Sequence, residues 1–404
     1  MEEHDSARPR RTSPLYSRLK AQGAVFGEKM GWERPNWFAQ GGEPGEDQYS
    51  FDRPNWSQAV AREHRNTREN VSLFDQTSFA KYMVTGPDAL AALSWISAND
   101  IKKPPGALVY TQMLNERGGI ECDLTVARLA EDRFYIVTGT GFATHDFHWI
   151  RSNLPAGGAV KLTDVTCDLT VLSLMGPRAR DVLAPLCAED ISNEAFGFAR
   201  TRSITISGIE VQALRVTYVG ELGWELHVAQ EHAVELYELL MAAGAEHGIG
   251  NAGYRAIETL RLEKGYRVWP GEVGPDHTPL EAGVGFAVKL KTSIPFLGRK
   301  ALEEQRAAGL KKRLCCFTID DPESVLWGRE TILRNGEQVG WLSSAGFGHT
   351  LGRFIGYGYV RNPDGVNRAF LESGAYELDV ATRRVPAKLH FGALFDPRGE
   401  KIRC

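Results

Sequence analysis

Two stretches of the chain repeat one local plan. Lys81-Tyr82-Met83-Val84-Thr85-Gly86-Pro87-Asp88-Ala89 and Val171-Leu172-Ser173-Leu174-Met175-Gly176-Pro177-Arg178-Ala179 each run from a largely apolar segment through Gly-Pro toward an alanine. The pattern predicts strand, turn, helix. The glycine turns the chain, and the proline starts the helix where its missing N–H costs nothing. A chain that builds this unit twice is constrained toward two related α+β halves packed together, here about 57–160 and 161–308. The Gly-Pro pairs are not phosphate loops. G-x-x-x-x-G-K-[ST] does not occur, which removes the P-loop nucleotide fingerprint.

The flanks differ from the repeat. The first part carries Arg34-Pro35-Asn36-Trp37 and again Arg53-Pro54-Asn55-Trp56 around a polar, glycine-bearing run from Gln40 to Gln48. Tryptophans in a loop-rich segment bury large apolar area, so residues 1–56 are expected to form an arm docked on the core. A contact surface for a donor protein is the functional alternative. From Ser57, the positions Val60, His64, Thr67 and Val71 recur at helical spacing, and Ala252 to Glu263 predicts another helix. Beyond residue 309 come short apolar runs at 314–319, 331–333, 339–342, 355–360 and 385–389, with the hairpin signal Asn335-Gly336 between two of them. Such strands predict a small β-barrel or sandwich over 309–404.

Composition excludes several function classes. Charged residues make up 24% of the 404, and the net charge is −4, without the basic excess of a nucleic-acid binder. No run of about 18 apolar residues is present. The start, Met1-Glu2-Glu3-His4-Asp5, lacks the apolar core of a signal peptide. The expectation is a cytoplasmic protein with no nucleic-acid or membrane partner. Six dispersed cysteines show no zinc spacing, and His145 and His148 fall on a helix predicted over 144–152 as surface or packing residues. No metal site is expected.

Chemistry-bearing side chains gather in two segments. In Tyr110 to Val126, strands flank an Asn-Glu-Arg-Gly-Gly turn, and Asp123 lies just past it. Asp123 is either a turn-closing carboxylate that accepts backbone N–H groups or a catalytic acid, and the residues alone leave both open. Its neighbour Cys122 points to the other face of the strand. The second segment is Tyr218-Val219-Gly220-Glu221-Leu222-Gly223-Trp224-Glu225-Leu226-His227-Val228. Leu214, Val216 and Tyr218 alternate before its turn, as Trp224, Leu226 and Val228 do after it, which predicts two half-buried strands. A carboxylate there is a solvated edge charge or a ligand.

These segments resemble the folate-binding proteins typified by the aminomethyltransferase (T-protein) of the glycine cleavage system. The likeness is closer still to the folate half of dimethylglycine and sarcosine dehydrogenases. It extends through Ser13-Pro14-Leu15-Tyr16, Gly27-Glu28-Lys29-Met30-Gly31-Trp32-Glu33-Arg34-Pro35-Asn36-Trp37-Phe38, Leu260-Arg261-Leu262-Glu263-Lys264-Gly265, Pro279-Leu280-Glu281-Ala282-Gly283 and Leu394-Phe395-Asp396-Pro397, nearly the whole chain. The resemblance implies an α+β, multi-domain T-protein-like fold, with the pseudo-repeated halves around a central folate channel and the β-rich domain at the end. It implies tetrahydrofolate as cofactor. By the same likeness Asp123 is the acid at the reacting centre, Glu225 reads the donor edge of the pterin, and Tyr110 and Tyr218 line the pocket. Of the two nearby acids, Glu221 is expected to be solvated and Glu225 buried.

The implied activity is one-carbon transfer from a small methylated molecule to tetrahydrofolate. No flavin domain is recognised in the sequence, so the expected partner is a separate flavin-dependent dehydrogenase, unless the donor is demethylated directly. The alternative is a non-catalytic folate-binding subunit of an amine dehydrogenase complex. One departure stands out. Where the T-protein has an arginine suited to the folate's carboxylate tail, this chain has Ile257, with Arg255 and Arg261 as possible substitutes. Arg261 is expected to pair with Glu258 or Glu263 along its helix.

Overall fold

The structure, a computed structural model, describes residues 3–404. An opening turn of helix α1 (Tyr16–Ala21) leads into a hairpin of β1 (Ala24–Lys29) and β2 (Trp32–Phe38), and α2 (Ser57–Glu69) follows. The tryptophans of this arm are buried: Trp37 completely, Trp32 and Trp56 nearly so. Trp37 and Trp56 pack with Val60, Phe74, Val219, Ala256 and Leu260 in one cluster. Burying indole rings of this size outweighs the cost of ordering the arm.

The repeat unit is present in both halves. β3 (Val71–Asp75) is followed by β4 (Ala80–Thr85), Gly86-Pro87 and α3 (Ala89–Ile96). Next come β5 (Leu108–Leu114), β6 (Ile120–Arg128), β7 (Arg133–Thr138), α4 (Ala143–Asn153) and β8 (Lys161–Asp164). β9 (Leu169–Met175) leads through Gly176-Pro177 into α5 (Ala179–Leu183), then β10 (Thr201–Ile206), β11 (Ile209–Leu214), β12 (Gly223–Ala229), α6 (Ala233–Ala243), β13 (Ile249–Asn251) and α7 (Tyr254–Lys264). Both turn glycines are left-handed, with φ of 124° at Gly86 and 141° at Gly176. A Cβ would sit 2.0 Å from the Ala159 carbonyl oxygen at Gly86 and 2.4 Å from that of Asn70 at Gly176. Only glycine fits either place.

The sheets run β5-β6-β7-β4-β8 and β10-β11-β12-β9-β3-β13. Each half therefore lends a strand to the other. β3 leads into β4 yet pairs with β9, whereas β8 leads toward β9 yet pairs with β4. The division near residue 160 is accordingly not a clean cut, because the strand at 161–164 joins the first sheet and that at 71–75 joins the second. Where the sheets meet, Leu108, Ala127, Tyr135 and Val137 pack with Leu214.

After α8 (Arg299–Ala308), β14 (Lys312–Ile319), β15 (Thr331–Arg334), β16 (Glu337–Gly348), β17 (Arg353–Arg361), β18 (Tyr376–Val380) and β19 (Arg383–His390) close into a six-stranded barrel in the order β14-β17-β16-β15-β18-β19. Asn335 and Gly336, both at positive φ, turn β15 into β16, as a two-residue hairpin requires. The strand 376–380 carries no signal used in the sequence reading, but closure needs it. No helix among the described residues is long and apolar enough to cross a membrane.

Candidate functional site

The Asn115 turn sets the first wall. The Asn115 side-chain oxygen accepts the N–H groups of Arg117 and Gly119, each at 3.0 Å. The turn is therefore closed without Asp123, which removes the structural role that sequence left open for it. Register places Asp123 opposite Gln112, and Tyr110 opposite Thr125, on the face away from Cys122. Cys122 lies in the core with Leu124 and Val126.

Asp123 is half-buried. The Gln112 amide donates to its Oδ1 at 2.8 Å, while the other end of that amide, Oε1, is buried without a donor. Burial pushes the Asp123 carboxyl up to about 6, against the pull of Gln112, the Tyr110 hydroxyl and the more distant Arg267. Burial, reinforced by the Asp123 charge, in turn holds the Tyr110 hydroxyl well above its ordinary value. A half-buried carboxyl with its pKa raised toward neutrality suits proton transfer.

The second wall differs from the strand expected. β11 ends at Leu214 and β12 begins at Gly223, so Tyr218 sits on a loop and not on a strand. The chain leaves the ladder because Arg215, buried, sends its guanidinium to the Asn193 side chain at 2.8 Å and to the carbonyls of Phe196 and Cys404. The Tyr218 hydroxyl donates to the Arg267 carbonyl at 2.6 Å, and its ring stacks on Tyr266 with centroids 5.9 Å apart. Arg267 is fixed by the carbonyls of Ala282 and Gly265 at 2.9 and 2.8 Å.

The two acids of this segment are the reverse of expectation. Glu221 is the buried one, paired with Arg68 at 3.1 Å. Arg68 also reaches Glu263 at 3.2 Å and lies over the Phe395 ring. Glu225 keeps 16% of its side chain exposed and faces His227 Nε2 at 3.6 Å. On the far side of that imidazole, Nδ1 is 2.8 Å from the Tyr135 hydroxyl. His227 is completely buried, and burial lowers its pKa, so it is neutral. Its Nε2 faces a carboxylate, which selects the Nε2–H tautomer and leaves Nδ1 to accept from Tyr135.

Gln112, Arg267, His227 and Tyr135 were given no role in the sequence reading. For His227 a signal existed, since it lies two residues after Glu225 and so on the same strand face. Arg261 pairs with Glu258 and Glu272, and not with Glu263. Cys122, His145 and Asp146 form a metal-capable grouping with ligand atoms within 4.8 Å of one another. Asp146 already accepts from Thr138 at 2.5 Å and faces His145 at 3.0 Å.

The arrangement suits a flat, polar ligand. Tyr110 has Phe286 tilted beside it, and Tyr218 stacks on Tyr266. The orphaned acceptor on Gln112 is a polar atom still to be satisfied.

Comparison with known proteins gives the same architecture. The model of the GCVT N-terminal domain matches residues 15–292, and that of the glycine cleavage T-protein C-terminal barrel domain matches 312–396. Mouse sarcosine dehydrogenase is 40% identical over 98% of this chain and 48% of its own length. The regulatory subunit of mouse pyruvate dehydrogenase phosphatase is 37% identical over 95% of this chain and 46% of its own. The chain thus spans about half of either relative. Among solved structures, the glycine cleavage aminomethyltransferase T of Bartonella henselae superposes with a TM-score of 0.81 at 25% identity, covering 96% of this chain and 99% of that one.

Proposed function

Because the chain belongs to the glycine cleavage T-protein family, whose members carry out folate-dependent one-carbon transfer, we propose that it moves a one-carbon unit from an N-methylated small molecule to tetrahydrofolate. The carbon leaves its donor either directly, giving 5-methyl-tetrahydrofolate, or after oxidation to the iminium or formaldehyde level, giving 5,10-methylene-tetrahydrofolate. For the oxidised route the proposed source of the carbon is a flavin-dependent dehydrogenase. The similarity to sarcosine dehydrogenase supports an N-methyl donor.

Half-buried Asp123, held by the Gln112 amide on the strand face it shares with Tyr110, is the observation that carries this reading. Tetrahydrofolate, when bound, supplies the nucleophilic N5. Asp123 takes up or returns a proton beside that atom and offsets positive charge on the transferred carbon, a contribution of about 10² to 10⁴ in rate. Gln112 and Tyr110 hold the carboxylate in place. Glu225 accepts hydrogen bonds from the donor edge of the pterin, and His227, backed by Tyr135, keeps it aimed. The tyrosines supply flat apolar walls.

Anaerobic titration of tetrahydrofolate into wild type and Glu225→Ala, followed by tryptophan fluorescence or calorimetry, tests the site. Saturable binding that weakens by about 1–3 kcal/mol in the variant is expected. Binding by neither protein would overturn the assignment. The oxidation level of the folate product then separates the two routes.

The similarity to a phosphatase regulatory subunit favours a second reading, a non-catalytic folate-binding subunit. It predicts that Asp123 is dispensable while Glu225 is not.

A further inference from the structure

We propose that Arg34, carried by the arm, is a carboxylate-binding residue on the wall of this same site, an inference that rests on the folate reading above. Its guanidinium lies over the Tyr254 ring at 4.1 Å. Its Nε is buried with no acceptor. Arg62, Arg215 and Arg255 share such an Nε, but their terminal nitrogens are held by Glu43, Asn193 and Asp47, whereas no acceptor among the described residues holds Arg34; a desolvated donor without a partner costs about 1–3 kcal/mol. A planar guanidinium stacked on an aromatic ring keeps its edge free for a bidentate carboxylate.

The position is fixed and central. Tyr254 opens α7 and packs against the cluster that holds Trp37 and Val219, as Tyr218 does. Its hydroxyl bonds Ser78 at 3.2 Å and is close enough to Glu225 to feel its charge. β2 cannot drift, since Glu63 accepts the N–H groups of both Phe38 and Gly253, at 2.7 and 2.8 Å. A Cβ at Gly253 would sit 2.2 Å from the Asn36 carbonyl oxygen, so only glycine lets the arm approach α7 this closely. The two arginines on α7 are already engaged. Arg255 is held by Asp47 over the Trp56 ring, and Arg261 lies between Glu258 and Glu272. Ile257, one turn beyond Tyr254, is buried in the same apolar cluster. A cation for this face of α7 therefore comes from the arm.

Two ligands could bring the carboxylate: the glutamate tail of folate, or a methylated amino acid acting as donor. Calorimetry on the full chain distinguishes them with two matched pairs, tetrahydrofolate against tetrahydropteroate, which lacks the glutamate, and sarcosine against dimethylamine. In Arg34→Gln, the carboxylate-bearing member of one pair should weaken about tenfold while its partner stays within about twofold. Arg34→Lys should restore part of the loss. A change confined to the folate pair assigns the tail, and one confined to the amine pair assigns the donor. Two results overturn the proposal while the folate reading stands: wild type binding both pterins with both preferences intact in Arg34→Gln, or all four ligands weakening equally. If wild type binds neither pterin, the folate reading fails and the proposal fails with it.

Discussion

The two sheets share one plan but use their charges differently. Aligning Gly86 with Gly176 superimposes Met83 on Ser173, and register then sets Tyr135 of the first sheet against Glu225 of the second. The same alignment sets Asp123 against Glu210. Asp123 is half-buried against Gln112, whereas Glu210 is exposed and takes only the Ser203 hydroxyl at 3.1 Å. The first half holds its half-buried acid on the strand after the outer turn; the second holds Glu225 one strand further in. The two halves are thus two frames that place a carboxylate differently.

The sharpest way to break the symmetry of the frames is at their shared turn. Gly86→Ala and Gly176→Ala should each destabilise by about 3 kcal/mol or more, because positive φ and a backbone clash coincide; denaturant unfolding measures both. If one is tolerated, the frames are not equivalent. Next in size, Asp123→Asn should lower turnover about 10²-fold or more with folate affinity kept within a few fold, while Glu210→Gln changes neither. Steady-state rates beside binding constants decide it. Tyr135→Phe should weaken folate by about 1 kcal/mol, less than Glu225→Ala, because it acts through His227.

The smallest effect is on pH dependence, and the halves should respond in opposite directions. Asp123 has its pKa raised by burial, so the folded state binds that proton more tightly than the unfolded chain. Its ionisation costs stability, a cost that grows from about pH 4 to about pH 6 and persists above. Asp123→Asn should therefore raise the thermal midpoint near pH 7 and not near pH 4. His227 has its pKa lowered by burial, so its cost grows as pH falls below about 6.5. His227→Gln should flatten the acid side of the stability profile, which thermal melts across pH would show.

What was legible in the sequence was what local chemistry determines. The Asn115 hairpin, the Gly-Pro units, α2, α7 and the Asn335-Gly336 turn depend on neighbours a few residues away. The strand expected through Tyr218 failed because a buried Arg215 finds its partners outside the ladder. Glu221 was misjudged because its counter-charge, Arg68, is 153 residues earlier in the chain. Pairing of that kind has no periodic signature. Gln112 and Arg267 were missed for a similar reason, since only register and packing bring them to Asp123.

The exchanged strands also bear on how the chain is made. β3 emerges from the ribosome early, but its neighbour β9 follows only after about 100 further residues, roughly 5–20 s of synthesis at ordinary rates. Through that interval Val71, Leu73 and Phe74, all buried in the finished protein, have no sheet to join. The first half cannot complete its fold as it appears, and the nascent chain has to keep an apolar strand in reserve until the second half arrives to claim it.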